Sequence, residues 1–153
     1  MDANQKAVME KQIQTVIAAL ERNRMQGYYV PTRQEVPAKV AELMHDGDTV
    51  TVGGSMTLEQ CGVMELLRSG RYHFLDRAAP GLTPEQVRQV YIDGFGSDAL
   101  LCSANAITLN GELYNVDGNS NRVAMLAFGP RSVIVVAGCN KIVPDLQAAQ
   151  QRV

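Results

Sequence analysis

Thr49-Val50-Thr51-Val52-Gly53-Gly54-Ser55-Met56-Thr57 decides how the rest of the chain is read. Four β-branched residues in a row favour a strand, because side chains branched at Cβ suit a pleated, packed surface. Two glycines end it. Thr57 with Gln60 then predicts a capping box for a helix with Val63, Leu66 and Leu67 on its apolar face and Gly70 as its stop. Strand, glycines, hydroxyls and helix in that order place free backbone N–H groups at the carboxyl edge of a sheet, where anions bind. Neither the dinucleotide fingerprint nor a phosphate-loop lysine is present, so glycines that serve only a tight turn are an equal reading.

The alternation continues downstream. Tyr72-His73-Phe74-Leu75 reads as the next strand, with His73 as an ordinary strand residue. Thr83-Pro84-Glu85-Gln86 combines an N-cap, a proline at the first helical position and a capping glutamine, and its helix turns Val87, Val90 and Tyr91 inward until Gly94 and Gly96 end it. Ala99-Leu100-Leu101-Cys102 is a buried strand, and Val123 to Phe128 is a short helix closed by Gly129-Pro130. Ser132 to Ala137 has no polar alternation, which predicts a central strand covered on both faces. A last helix with Leu146 and Ala149 inward runs to Val153.

Upstream, Met9, Ile13, Val16, Ile17 and Leu20 recur at helical spacing in a helix ending near Gly27. Thr32 and Glu35 suggest a capping box for a second helix with Val36, Val40, Leu43 and Met44 inward, its start displaced later by Pro37. The expected fold is α/β: a three-layer, Rossmann-like open sheet, mainly parallel with one antiparallel hairpin. At 153 residues it is expected to be a single domain, with a helical part over 1–46 and the sheet core over 47–153.

The stretch from Ser103 to Val123 holds five asparagines between apolar runs. Asn110-Gly111, between Ile107-Thr108-Leu109 and Leu113-Tyr114-Asn115-Val116, predicts a hairpin with a type I′ turn, and Asp117-Gly118 a second reversal. Asn105, Asn115, Asn119 and Asn121 exceed what two turns require, and each carries donors and acceptors that need partners when buried. Arg122 adds a fork suited to a carboxylate or phosphate. Turn chemistry alone is the alternative reading of these amides. A calcium loop is the poorer reading, since the glycine is misplaced and the twelfth position of a loop starting at Asn115 is Leu126, not Glu.

Composition narrows the partners. The 14 basic and 16 acidic residues give a formal charge of −2 with no basic run, which argues against nucleic acid. No apolar run approaches the ~20 residues of a membrane span, and the first residues lack a signal-peptide core, so the expectation is a cytoplasmic protein. Cys61, Cys102 and Cys139 are distant in sequence and read as reduced, packed thiols, and no metal-ligand spacing is present.

Together these motifs carry a resemblance. The Gly53–Thr57 loop, Ser103 to Thr108, Gly111 to Asn119, Asn121 to Ala124, Phe128-Gly129-Pro130 and Val135 to Val143 resemble the lactate-utilisation (LUD) domain family over nearly the whole chain. The resemblance implies the fold shared by glucosamine-phosphate deaminase, ribose-phosphate isomerase and CoA transferases, and a link to bacterial lactate oxidation alongside iron–sulfur partner subunits. Relatives of this kind continue into a further segment with clustered cysteines, whose metal chemistry is not carried over to these residues. The resemblance names no cofactor and is compatible with a homo-oligomer. Two functions follow. In the first, Gly53, Gly54, Ser55 and Thr57, with Asn105, Asn115, Asn119, Asn121, Arg122, Asn140 and Lys141, bind a small anionic metabolite, and Glu112 or Asp117 moves protons. In the second, the chain is a non-catalytic docking subunit.

Overall fold

A computed structural model describes residues 3–153. In chain order the elements are α1 (Ala3–Arg22), α2 (Val36–Glu42), β1 (Thr49–Val52), α3 (Met56–Gln60), α4 (Val63–Leu67), β2 (His73–Phe74), α5 (Pro84–Gly94), β3 (Ala99–Cys102), β4 (Ala106–Thr108), β5 (Leu113–Tyr114), α6 (Asn121–Ala127), β6 (Ser132–Val135), β7 (Ile142–Val143) and α7 (Leu146–Arg152). The residues form two compact units. One comprises Pro31–Ser103 and Asp117–Val136; the other comprises the described residues to Val30 with Ala104–Val116 and Ala137–Val153.

The first unit is built on a four-stranded sheet in the order β2-β1-β3-β6, parallel throughout. Because side chains alternate across a strand, its apolar residues divide between two faces. Val50, Val52, Ala99 and Leu101, joined by Ile134 and Val136, cluster with Val40 and Met44 of the α2 region, Leu58 of α3, and Val63, Met64 and Leu67 of α4. Leu100, Cys102 and Val135 pack instead with Met125 and Leu126 of α6. On that second face α5 closes onto the sheet through Gly94, where a Cβ would lie 3.0 Å from Met125 Sδ and 3.1 Å from Thr51 Oγ1. Helices on both faces give three layers. Each fully buried leucine or valine contributes about 1.5–3 kcal/mol, so this interior is the main source of the unit's stability.

Several expectations are corrected by this packing. Ser132 to Ala137 is not the central strand: β6 lies at an edge, Ser132 and Val133 are exposed, and β1 and β3 hold the centre. Ile134 and Val135 do pack on opposite faces, and that is what the missing alternation recorded; coverage of the faces says nothing of a strand's neighbours. The helix expected from Thr57 to Gly70 is two short helices, α3 and α4, separated at Gly62, whose φ of +73° is left-handed. Its N-cap is Ser55, whose Oγ accepts the Leu58 N–H at 3.4 Å, and not Thr57. Helix α2 starts at Val36 with Pro37 in its first turn, and Thr32 makes no side-chain cap. The capping box of α5 forms in full, Gln86 N–H donating to Thr83 Oγ1 at 3.3 Å and Thr83 N–H to Gln86 Oε1 at 2.8 Å.

The second unit holds α1, α7 and a three-stranded sheet in the order β5-β4-β7. The expected hairpin is there, with β4 antiparallel to β5, while the two-residue β7 runs parallel to β4 and had no signal of its own. The turn is not type I′. Only Gly111 has a positive φ (+78°), and Thr108 O accepts its N–H at 2.9 Å. Contact with α1 explains the difference: a Cβ on Gly111 would lie 2.8 Å from backbone atoms of Ala19 and Leu20, and Asn23 Nδ2 donates to the carbonyls of Asn110 and Gly111 at 3.0 and 3.2 Å. Helix α1 ends before Gly27, in a Schellman motif with Arg24 at φ 62°, Arg24 N–H bonding Glu21 O and Met25 N–H bonding Leu20 O. Gly27 instead meets Ile17, 3.1 Å from where its Cβ would be. In α7, Ala149 is buried as expected, whereas Leu146, the first helical residue, faces solvent at 49% exposure.

Candidate functional site

In the order β2-β1-β3-β6 the chain leaves β1 toward one edge and β3 toward the other, so the topological switch point lies between the carboxyl ends of β1 and β3. Gly53 follows β1 there and Ser103 follows β3. Arg122, from the first turn of α6, fills the space between them. Its methylenes cover Gly53, where a Cβ would sit 2.8 Å from Cδ, 2.9 Å from Cγ and 3.1 Å from Cys102 Cβ. Nη1 donates to Ser103 O at 2.8 Å, and Nε and Nη2 both meet Asp117 Oδ1 at 2.8 Å. The other carboxylate oxygen, Oδ2, accepts the Val123 N–H at 2.7 Å and so caps α6, whose Ser120 offers no side-chain cap. Both side chains are about nine-tenths buried. Positive and negative charge therefore cancel inside the crevice, and the pair is a fastener between β1, β3 and α6.

One residue further on, Gly54 is exposed and lies beneath a different arginine. Arg77, in the loop after β2, is partly buried and brings Nη2 to 2.7 Å from where a Gly54 Cβ would be. Its Nη1 donates to the Tyr91 hydroxyl at 2.6 Å, and its Cζ lies 5.3 Å from the Tyr91 ring centroid. Among the described residues Arg77 makes no salt bridge. A guanidinium with its charge uncancelled thus lies over the glycine loop at the carboxyl edge of the sheet.

The LUD domain family model matches residues 13–153. The chain belongs to the LUD-domain family, that of lactate utilisation. No curated protein and no solved structure matches it. The match takes in the glycine loop and the amide-rich stretch alike, so every residue named for the site above lies within the LUD domain.

Of those residues, the LUD domain brings Gly53, Arg122 and Asp117 into one contact network, with Gly54 and Ser55 on the same loop. Ser55 is engaged as the α3 cap, and Thr57 is half-buried in the first turn of that helix. Asn119 is exposed in the loop before α6, and Asn121 opens the helix. Asn105, Glu112, Asn115, Asn140 and Lys141 belong to the other unit. There Asn105 Oδ1 accepts the Val116 N–H at 3.1 Å, which continues the β4–β5 ladder by a side chain. Glu112 Oε2 accepts the Thr108 hydroxyl at 2.5 Å across the hairpin. Asn115 donates to Leu113 O at 3.3 Å, and its Oδ1 is buried without a hydrogen-bond partner among the described residues. Asn140 is exposed, its Oδ1 2.5 Å from where a Gly138 Cβ would be, and Lys141 is half-buried beside it in a 3-10 turn.

Arg77 and Tyr91 are the residues that sequence reasoning missed. A signal for Arg77 existed. It follows a strand just as Gly53 does, and the carboxyl-edge rule applied to β2 would have placed it beside the loop. No grouping of His, Cys, Asp or Glu suited to a metal occurs among the described residues, and no described helix is long and apolar enough to cross a membrane.

Proposed function

We propose that this LUD-family chain binds a small anionic metabolite, a carboxylate, phosphate or CoA-type ligand, at the carboxyl edge of its parallel sheet, in a role linked to bacterial lactate oxidation. The observation that carries the reading is Arg77 laid over Gly54 with no salt bridge to a carboxylate among the described residues. The guanidinium fork matches the geometry of a carboxylate or phosphate. Gly54 lacks a side chain that would hold an anion away from the loop backbone. Helix α3 adds little, since its five residues carry a small dipole and Ser55 already satisfies its Leu58 N–H.

Asp117 and Glu112, the carboxylates named as proton carriers, are tied to Arg122 and Val123 in one case and to Thr108 in the other. The reading is accordingly one of binding and orientation. A thermal-shift screen against lactate, pyruvate, sugar phosphates, CoA esters and nucleotides tests it, with Arg77→Gln and Ser55→Ala as controls. A ligand at a hundred times its dissociation constant raises stability by about 2.7 kcal/mol. The expected result is a shift with one anion class that Arg77→Gln removes; no shift with any compound would sink the proposal.

A second reading, a non-catalytic docking subunit of an iron–sulfur lactate-oxidising complex, draws on one observation. Phe128 is 83% exposed, and beside it a Cβ on Gly129 would lie 2.8 Å from Phe95 O, while Phe95 and Ile92 are themselves exposed at 38% and 44%. Exposed aromatics gathered at one place mark an interaction surface more often than scattered ones do. Phe128→Ser should leave anion binding unchanged while abolishing co-purification with iron–sulfur proteins; persistence of that association would remove this reading.

A further inference from the structure

We infer that Tyr91 is the positioning residue of the anion site, acting through Arg77, so that helix α5 rather than the glycine loop sets where the charge of the site lies; this rests on the anion-site reading above. Arg77 belongs to the loop between β2 and α5, and a long side chain in a loop has many rotamers. Only one described side chain holds it by a hydrogen bond: the Tyr91 hydroxyl takes Nη1 at 2.6 Å, leaving Nη2 over Gly54. One nitrogen of the fork is anchored and the other is presented.

Tyr91 is well placed for this. The start of α5 is fixed by the Thr83–Gln86 capping box, and its end is pressed onto Thr51 and Met125 through Gly94. The helix therefore holds the hydroxyl at a constant height above the sheet edge. Chemistry matters as much as position. A carboxylate in place of Tyr91 would orient the guanidinium and also neutralise it, as Asp117 does for Arg122. A neutral hydroxyl orients the fork and leaves its charge for an incoming anion.

The test is calorimetric titration of inorganic phosphate and, separately, lactate into the wild-type chain and into Arg77→Gln, Tyr91→Phe, Arg77→Lys and the Arg77→Gln/Tyr91→Phe double variant, with melting temperatures recorded for each. Wild type is expected to bind at least one anion, and Arg77→Gln to bind it at least tenfold more weakly, consistent with loss of a charge-assisted hydrogen bond. Tyr91→Phe should weaken binding about tenfold at an unchanged melting temperature, and should have no further effect once Arg77 is Gln. Arg77→Lys keeps the charge but lacks a planar fork that can reach Tyr91 and Gly54 together, so about tenfold weaker binding is expected there too.

Wild-type affinity in Tyr91→Phe beside a defective Arg77→Gln overturns the inference and leaves the anion site standing. A Tyr91→Phe loss of equal size in both backgrounds also overturns it, since the tyrosine would then act on the fold and not through Arg77. Where Tyr91→Phe melts early, Arg77→Lys decides: binding equal to wild type shows that the fork needs no anchoring. If neither anion binds the wild type, or if Arg77→Gln binds as well as wild type, the anion-site reading falls and this inference with it.

Discussion

Gly53 and Gly54 are consecutive, both lie under an arginine, and they do opposite things. Over Gly53, Arg122 is buried, paired with Asp117 and bonded to Ser103 O, so its charge is spent inside the protein. Over Gly54, Arg77 touches a neutral hydroxyl and keeps its charge. The difference teaches that a conspicuous arginine near a glycine loop is no guide to ligand binding until its partners are known. Burial with a carboxylate makes a fastener; partial exposure against a tyrosine makes a candidate anion-binding group.

The comparison breaks most visibly at Asp117. Asp117→Ala leaves the Arg122 guanidinium buried without its counter-charge, which should cost about 3–5 kcal/mol in urea denaturation. A loss below about 1 kcal/mol would mean that the pair is not the fastener described. Gly53→Ala should be next, at about 1–3 kcal/mol, because the new methyl meets both the Arg122 stem and Cys102. Thr83→Ala removes one half of the α5 capping box and should cost about 1 kcal/mol; if Tyr91 takes its position from α5, phosphate affinity should fall with it. The smallest effect on stability is expected one residue from the second largest. Gly54→Ala meets only the Nη2 end of the Arg77 side chain, so denaturation should change by less than about 0.5 kcal/mol, while anion affinity falls as the fork is pushed from the loop. Equal destabilisation by the two alanines would erase the distinction between the glycines.

Much of this was legible in the residues. The β1 strand, its two glycines, the α5 capping box and the buried β3 strand follow from local rules that operate within a few residues, and they were read correctly. Where α1 stops was misread because Arg24, not a glycine, adopts the left-handed conformation; that costs energy which the Schellman hydrogen bonds offset. The hairpin turn was misread because Asn110 does not take the positive φ that type I′ requires, and its carbonyl, with that of Gly111, is held by Asn23 from a distant part of the sequence. At the site, Arg122 and Asp117 were both named, yet their use on each other could not be seen, since mutual pairing is a property of three-dimensional distance. Arg77 and Tyr91 are fourteen positions apart on elements that carry no joint pattern.

What the sequence determined by itself was the α/β class, the parallel order of strand and helix and the location of a glycine loop at a strand's carboxyl end, because propensity, capping and periodicity are encoded between near neighbours. Tertiary structure decided which strands lie at the centre, that the amides and the glycine loop divide between two units, and which arginine is neutralised. Those outcomes depend on burial and on charges meeting across the sheet, and the free energy of a buried pair is fixed by the distance and geometry of the partners, which sequence spacing does not contain.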